Sequence, residues 1–151
     1  MIQRKQSIFL LLAAIFSVLC LCMQVGTYTP DGMGVGSKMM NLWILNENGS
    51  TDMNVCPLFV LLLISATISL LTIFQYKKRL FQSKLCVFNM LFIVGWYVVF
   101  AVFGYVLTPE QMTFHPELAA AFPAVTLVFI WMARRAILAD ERLVRAADRI
   151  R

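Results

Sequence analysis

A chain of 151 residues that is 60% hydrophobic and only 14% charged is too apolar for an ordinary water-soluble domain. Its net charge of +5 comes from 13 basic against 8 acidic residues, and its single His excludes a haem site built on paired axial histidines. A bilayer core about 30 Å thick takes roughly 20 apolar residues in a helix. Four stretches qualify, predicting helices over about 7–25, 57–76, 85–107 and 118–136. The expected fold class is all-α: one domain over 1–151, a four-helix transmembrane bundle.

The first helix starts behind Arg4 and Lys5 and has the basic-then-apolar order of a signal peptide. It is long for one and lacks a small-x-small cleavage site near Cys20 and Cys22, so it reads as a retained span. Gly26–Cys56 is the longest connection. It opens with a glycine-rich run, passes through the apolar Met39–Leu45 and reaches a turn signal at Asn48-Gly49. Met39–Leu45 reads either as a strand of a small hairpin, which is favoured, or as an interfacial segment with Trp43 at headgroup depth. Asn48-Gly-Ser50 matches a glycosylation acceptor, but a three-residue match is weak and is set aside.

In the second helix Ser65 and Ser69 have small-xxx-small spacing, with Thr72 close to the same face, a pattern for close helix packing in lipid. Tyr76–Lys84 is a short basic turn. The third helix carries Asn89, expected to hydrogen-bond across helices, and is thinned by Gly95, Ala101 and Gly104. Thr108–Glu117 reads as a short turn in which His115 is an ordinary interfacial residue. Ala120 and Ala124 repeat the small-residue spacing in the fourth helix, and Pro123 is expected to kink it locally.

Charge orients the chain. Arg4, Lys5, Lys77, Lys78, Arg79, Lys84, Arg134, Arg135, Arg142, Arg145, Arg149 and Arg151 share one side, twelve of the thirteen basic residues. Lys38 lies opposite, with Asp31, Glu47, Asp52, Glu110 and Glu117. Cytoplasmic loops are enriched in Lys and Arg, so both termini are expected in the cytoplasm. The anionic inner leaflet is then partner enough for the positive face, and no nucleic acid is expected.

No Lys, Arg, Asp or Glu interrupts the four spans before Arg134, which disfavours small exporters that depend on a buried acid. Cys20, Cys22, Cys56 and Cys86 contain no Cys-x-x-Cys pair, although Cys22 and Cys56 sit at similar depth and form the candidate disulfide. A thiol–quinone oxidoreductase therefore ranks third among function readings. No catalytic, metal or cofactor site is expected, and no cofactor.

The fourth helix is expected not to stop at the membrane edge but to run on through Arg151, with its tail over about 137–151, because no Gly or Pro follows Pro123. Ala136, Ala139, Leu143, Ala147 and Ile150 recur at helical spacing. The candidate partner-binding face is Leu143, Ala147 and Ile150 with Arg142 and Arg145, an amphipathic surface suited to anionic lipid or a cytoplasmic partner.

The termini, Met1-Ile-Gln-Arg-Lys-Gln-Ser-Ile-Phe-Leu-Leu-Leu-Ala-Ala-Ile15 and Arg134-Arg-Ala-Ile-Leu-Ala-Asp-Glu-Arg-Leu-Val-Arg-Ala-Ala-Asp-Arg-Ile-Arg151, resemble a family of small four-pass membrane proteins of Bacteroidota described as a domain of unknown function. The resemblance covers the whole chain and is weakest in the first outer loop. It implies the inner membrane of a Gram-negative bacterium and carries over no catalytic or binding residues. The leading functional reading is a non-enzymatic accessory or assembly subunit of an inner-membrane complex. The alternative is a small transporter or lipid-handling protein acting as a homo-oligomer.

Overall fold

The structure, a computed structural model, describes residues 3–32, 34, 36–46, 48–75 and 79–148. Four helices, α1 (Gln3–Cys22), α2 (Cys56–Phe74), α3 (Arg79–Ala101) and α4 (Phe122–Asp148), carry most of the chain. Their main contacts run α1 to α2, α2 to α3, α3 to α4 and α4 back to α1. Met53–Phe74, Arg79–Val106 and Leu118–Val144 are long and apolar enough to cross a membrane, and Gln6–Cys22 is a shorter apolar helix. Their outward faces stay apolar: Leu11 and Ile15, Leu63 and Leu71, Phe88 and Leu91, Val128 and Trp131 are all exposed. Soluble monomers rarely expose so extended an apolar surface.

Small and weakly polar residues face inward, which lets the helices approach closely. Ala13 and Ser17 of α1, Ser65, Ala66 and Ser69 of α2, and Thr126 and Ala133 of α4 are buried. The expected cross-helix bond of Asn89 forms, its Nδ2 donating to Ser69 Oγ at 2.7 Å. Ala120 is buried but Ala124 is exposed, so the small-residue repeat in the fourth helix does not describe one packed face. At the other end of the helices, the Arg79 guanidinium lies 3.3 Å from the Asp140 carboxylate and ties the start of α3 to α4. Gln6 Nε2 donates to the Ala136 carbonyl, adding α1 to the same junction.

The connections at the opposite end depart from expectation. The sequence favours a single hairpin; the chain builds a five-stranded antiparallel sheet, ordered β4-β3-β2-β1-β5. Its strands are β1 (Gly26–Pro30), β2 (Ser37–Met39), β3 (Ile44–Leu45), β4 (Thr51–Asp52) and β5 (Met112–Pro116). Met39–Leu45 is thus the end of one strand, a turn and a second short strand. The fifth strand comes from the connection read as a simple turn, and pairs with β1 from Gly26↔Pro116 to Pro30↔Met112. Its alternation was hidden by Pro116 and by its length of five residues.

The fourth helix differs at its start but not in its extension. Pro123 lies at the start of the α-helix rather than inside it. It is the second residue of α4, where its missing N–H has no intrahelical acceptor to serve, and a 3₁₀ turn over Leu118–Ala121 leads into it. The predicted fourth span and its tail form one uninterrupted helix to Asp148, as the absence of a later Gly or Pro predicts.

The sheet and the helix ends share a core. Tyr28 and Met39 of the sheet, Val25, and Leu58, Trp96 and Phe100 of the helices form one buried cluster. A second cluster of Leu10, Ala13, Cys86, Ile93, Ile130 and Ile137 fills the other half.

Candidate functional site

Between the sheet and the adjoining end of α3 lies a cavity of about 580 Å³. The strands contribute Tyr28, Ser37, Ile44 and Met112; Asn46 follows β3, and Asn54 sits in the 3₁₀ turn that opens α2. Phe103, Leu107 and Pro109 complete the wall. Polar atoms are few, so the lining is mainly apolar, and among the described residues no carboxylate, imidazole, thiol or cationic group lines it. That composition suits binding better than proton transfer or nucleophilic attack.

The wall formed by α3 is locally unusual. Its last turns widen into a π-helix over Val102–Val106, closed by the Leu107 N–H donating to the Val102 carbonyl at 2.9 Å. Such widened turns recur at functional sites. At a helix end the carbonyls run out of backbone donors. Here Tyr28 and Thr108 supply them, both hydroxyls donating to the Phe103 carbonyl, at 3.1 and 3.3 Å. Burial pushes the Tyr28 phenol above its ordinary pKa, which keeps it a protonated donor.

Phe114 fastens β5 over this wall. Its ring packs on Tyr28 at 5.1 Å, Phe100 at 5.5 Å and Tyr105 at 5.8 Å between centroids. It fits only because Gly26 and Gly104 lack side chains: a Cβ on Gly104 would lie 2.5 Å from the ring, and one on Gly26 would overlap its other edge.

The turn between β2 and β3 is pinned by Asn41, which is completely buried. Its Nδ2 donates to the Cys20 carbonyl at 2.6 Å, and its Oδ1 accepts from Trp96 Nε1 at 3.1 Å. One amide therefore ties the sheet to the end of α1 and the middle of α3.

The residues singled out by sequence lie elsewhere. All four cysteines are free thiols: Cys22 is exposed, Cys56 half-buried, Cys20 and Cys86 buried. None lines the cavity. His115 is exposed on β5. On the tail, Leu143 is 59% exposed, and Val144 and Arg142 are also exposed. Ile150 and the side chains of Arg145 and Ala147 lie outside the described residues. Among the described residues no group of His, Cys, Asp or Glu is arranged to hold a metal ion.

A family model described as Domain of unknown function (DUF4293) matches residues 2–150, nearly the whole chain. The chain belongs to this family. The match therefore covers the sheet, the cavity wall and all four helices of this DUF4293 chain together. No curated protein matches it.

Proposed function

We propose that this chain is a four-pass protein of a bacterial inner membrane, a four-helix transmembrane bundle with both termini cytoplasmic, and that it serves as a non-enzymatic accessory or assembly subunit of a membrane complex. Support for the spans comes from the three long apolar helices and from α1, whose 20 residues reach about 30 Å at 1.5 Å per residue. Support for the orientation comes from charge. Asp31, Asp52, Glu110 and Glu117 are exposed at the sheet end, whereas Lys84, Arg135 and Arg142 are exposed at the other.

A cysteine-labelling experiment tests the orientation. In a background without the four native cysteines, Cys at Ser50 or Gln111 is expected to react with an impermeant thiol reagent in intact cells, and Cys at Gln75 only after lysis. All three positions are exposed, so access reports sidedness rather than burial. Reaction at Gln75 in sealed cells overturns the topology.

The observation that carries the accessory role is the end of α4. The helix passes the Arg79–Asp140 junction and continues to Asp148 with Leu143 and Val144 uncovered. Eight residues beyond Asp140 extend about 12 Å further along the same helix axis, and on the membrane-spanning reading this axis leads out of the bilayer, which favours a protein contact. Leu143→Glu is expected to release a co-purifying partner, or a second copy of this chain, from protein extracted in mild detergent. Thermal stability should move by less than about 0.5 kcal/mol, as for other exposed substitutions. A chain stopped after Glu141, which keeps Asp140, should behave alike. If both variants retain everything bound by the wild type, the tail is not the contact.

The second reading, a lipid-handling protein, is favoured by the cavity.

A further inference from the structure

We infer that the cavity under the sheet is a binding site for a neutral, single-chain amphiphile, of which a monoacylglycerol is the simplest representative. A volume of about 580 Å³ falls within the roughly 300–1,000 Å³ of small-molecule sites. Its apolar wall, Ile44, Phe103, Leu107 and Met112, offers only hydrocarbon, aromatic and thioether surface, which suits an alkyl chain. The polar positions, Ser37, Asn46 and Asn54, carry no charge, so the head must be uncharged and able to hydrogen-bond. An ionic head in this lining would lose its hydration without a counter-ion. Asn46 directs its Nδ2 to Ser50 Oγ at 3.1 Å and Asp52 Oδ2 at 2.7 Å, which leaves its Oδ1 as the atom to accept from a ligand hydroxyl.

Location argues for a ligand taken from the bilayer. Leu107 lines the cavity and is itself 59% exposed, and its neighbours Tyr105 and Val106 are exposed beside it. These side chains end the apolar surface of α3 beside the cavity, which on the membrane-spanning reading lies near the edge of the hydrocarbon region. The entry route rests on the membrane-spanning reading above; occupancy of the cavity does not.

The test uses the full chain in lipid nanodiscs with a monoacylglycerol bearing a photoactivatable diazirine in its chain, and maps the labelled residues by mass spectrometry. Labelling is expected at Ile44, Phe103, Leu107 or Met112, saturable and competed by unlabelled monoacylglycerol. Ile44→Trp and Met112→Trp, which fill the cavity from different strands, should each cut labelling of the remaining wall about tenfold, one decade of affinity. Leu118→Trp, exposed and outside the cavity, should leave it unchanged. Should one filling variant lose its cooperative thermal transition, the other decides. Labelling confined to outward-facing residues such as Leu63 and Val98, or undiminished in a folded filling variant, overturns the site. Stronger competition by anionic phosphatidylglycerol overturns the neutral head. Thiol labelling that reversed the topology would leave all these outcomes readable and would strike only the route of entry.

Discussion

Replacing Asn41 by Leu is expected to lower the stability of the folded chain by about 2–4 kcal/mol, although Leu keeps the same branched side-chain shape in a buried site. The loss comes from hydrogen bonding. Trp96 is fully buried, and its Nε1–H has Asn41 Oδ1 as acceptor at 3.1 Å. Leaving a buried donor without a partner costs roughly 1–3 kcal/mol. The Cys20 carbonyl loses its 2.6 Å donor as well but keeps the Met23 N–H at 3.3 Å, so its share is smaller. Thermal unfolding in detergent, followed by tryptophan fluorescence, measures the change. A cycle with Trp96→Phe separates hydrogen bonding from packing: once the indole donor is gone, Asn41→Leu should cost about 1–2 kcal/mol less. Equal costs in both backgrounds would show that Asn41 does not pin the sheet through this bond.

The second large effect is expected at Gly104, and its sign should depend on Phe114. In the native chain Gly104→Ala puts a methyl group 2.5 Å from the Phe114 ring, so the ring must move. That ring is held by Tyr28, Phe100 and Tyr105, and its far edge abuts Gly26, which leaves it little room. Overpacking of this kind costs about 1–3 kcal/mol. Phe114→Ala is itself destabilising by about 2–3 kcal/mol, below the roughly 3–5 kcal/mol of a fully buried Phe because this one is half-buried. In that background Gly104→Ala should become neutral or stabilise by up to about 1 kcal/mol, since the obstacle is gone and Ala limits the unfolded backbone more than Gly. Loss of stability from Gly104→Ala in both backgrounds would mean that the π-helix, rather than Phe114, requires glycine.

The apolar helices were legible without coordinates because each signal is local. An uncharged run of about 20 residues has few alternatives to a helix in lipid, whatever surrounds it. Asn89 belongs with them: an amide isolated in such a run must find a partner, and it finds Ser69 on the next helix. The C-terminal extension of the fourth helix was legible because no Gly or Pro follows Pro123; only the start of that helix differs, with Pro123 as its second residue.

Tertiary structure alone decided the sheet and the cavity beneath it. β5 joins β1 across more than 80 residues, and two of the other strands are only two residues long, too short for alternation to register. Such strands persist because Tyr28, Met39 and Phe114 pack on the ends of the helices, an energy that no window of sequence contains. Asn41 in the loop was unremarkable by residue type, and Gly104 read only as thinning its helix. One became a pin because Trp96 and the end of α1 converge on it; the other became obligatory because a ring from β5 occupies the place of its side chain. The cavity belongs to no single segment: four strands, a π-helical turn and the 3₁₀ turn before α2 meet around it, and only their convergence in space makes it a site.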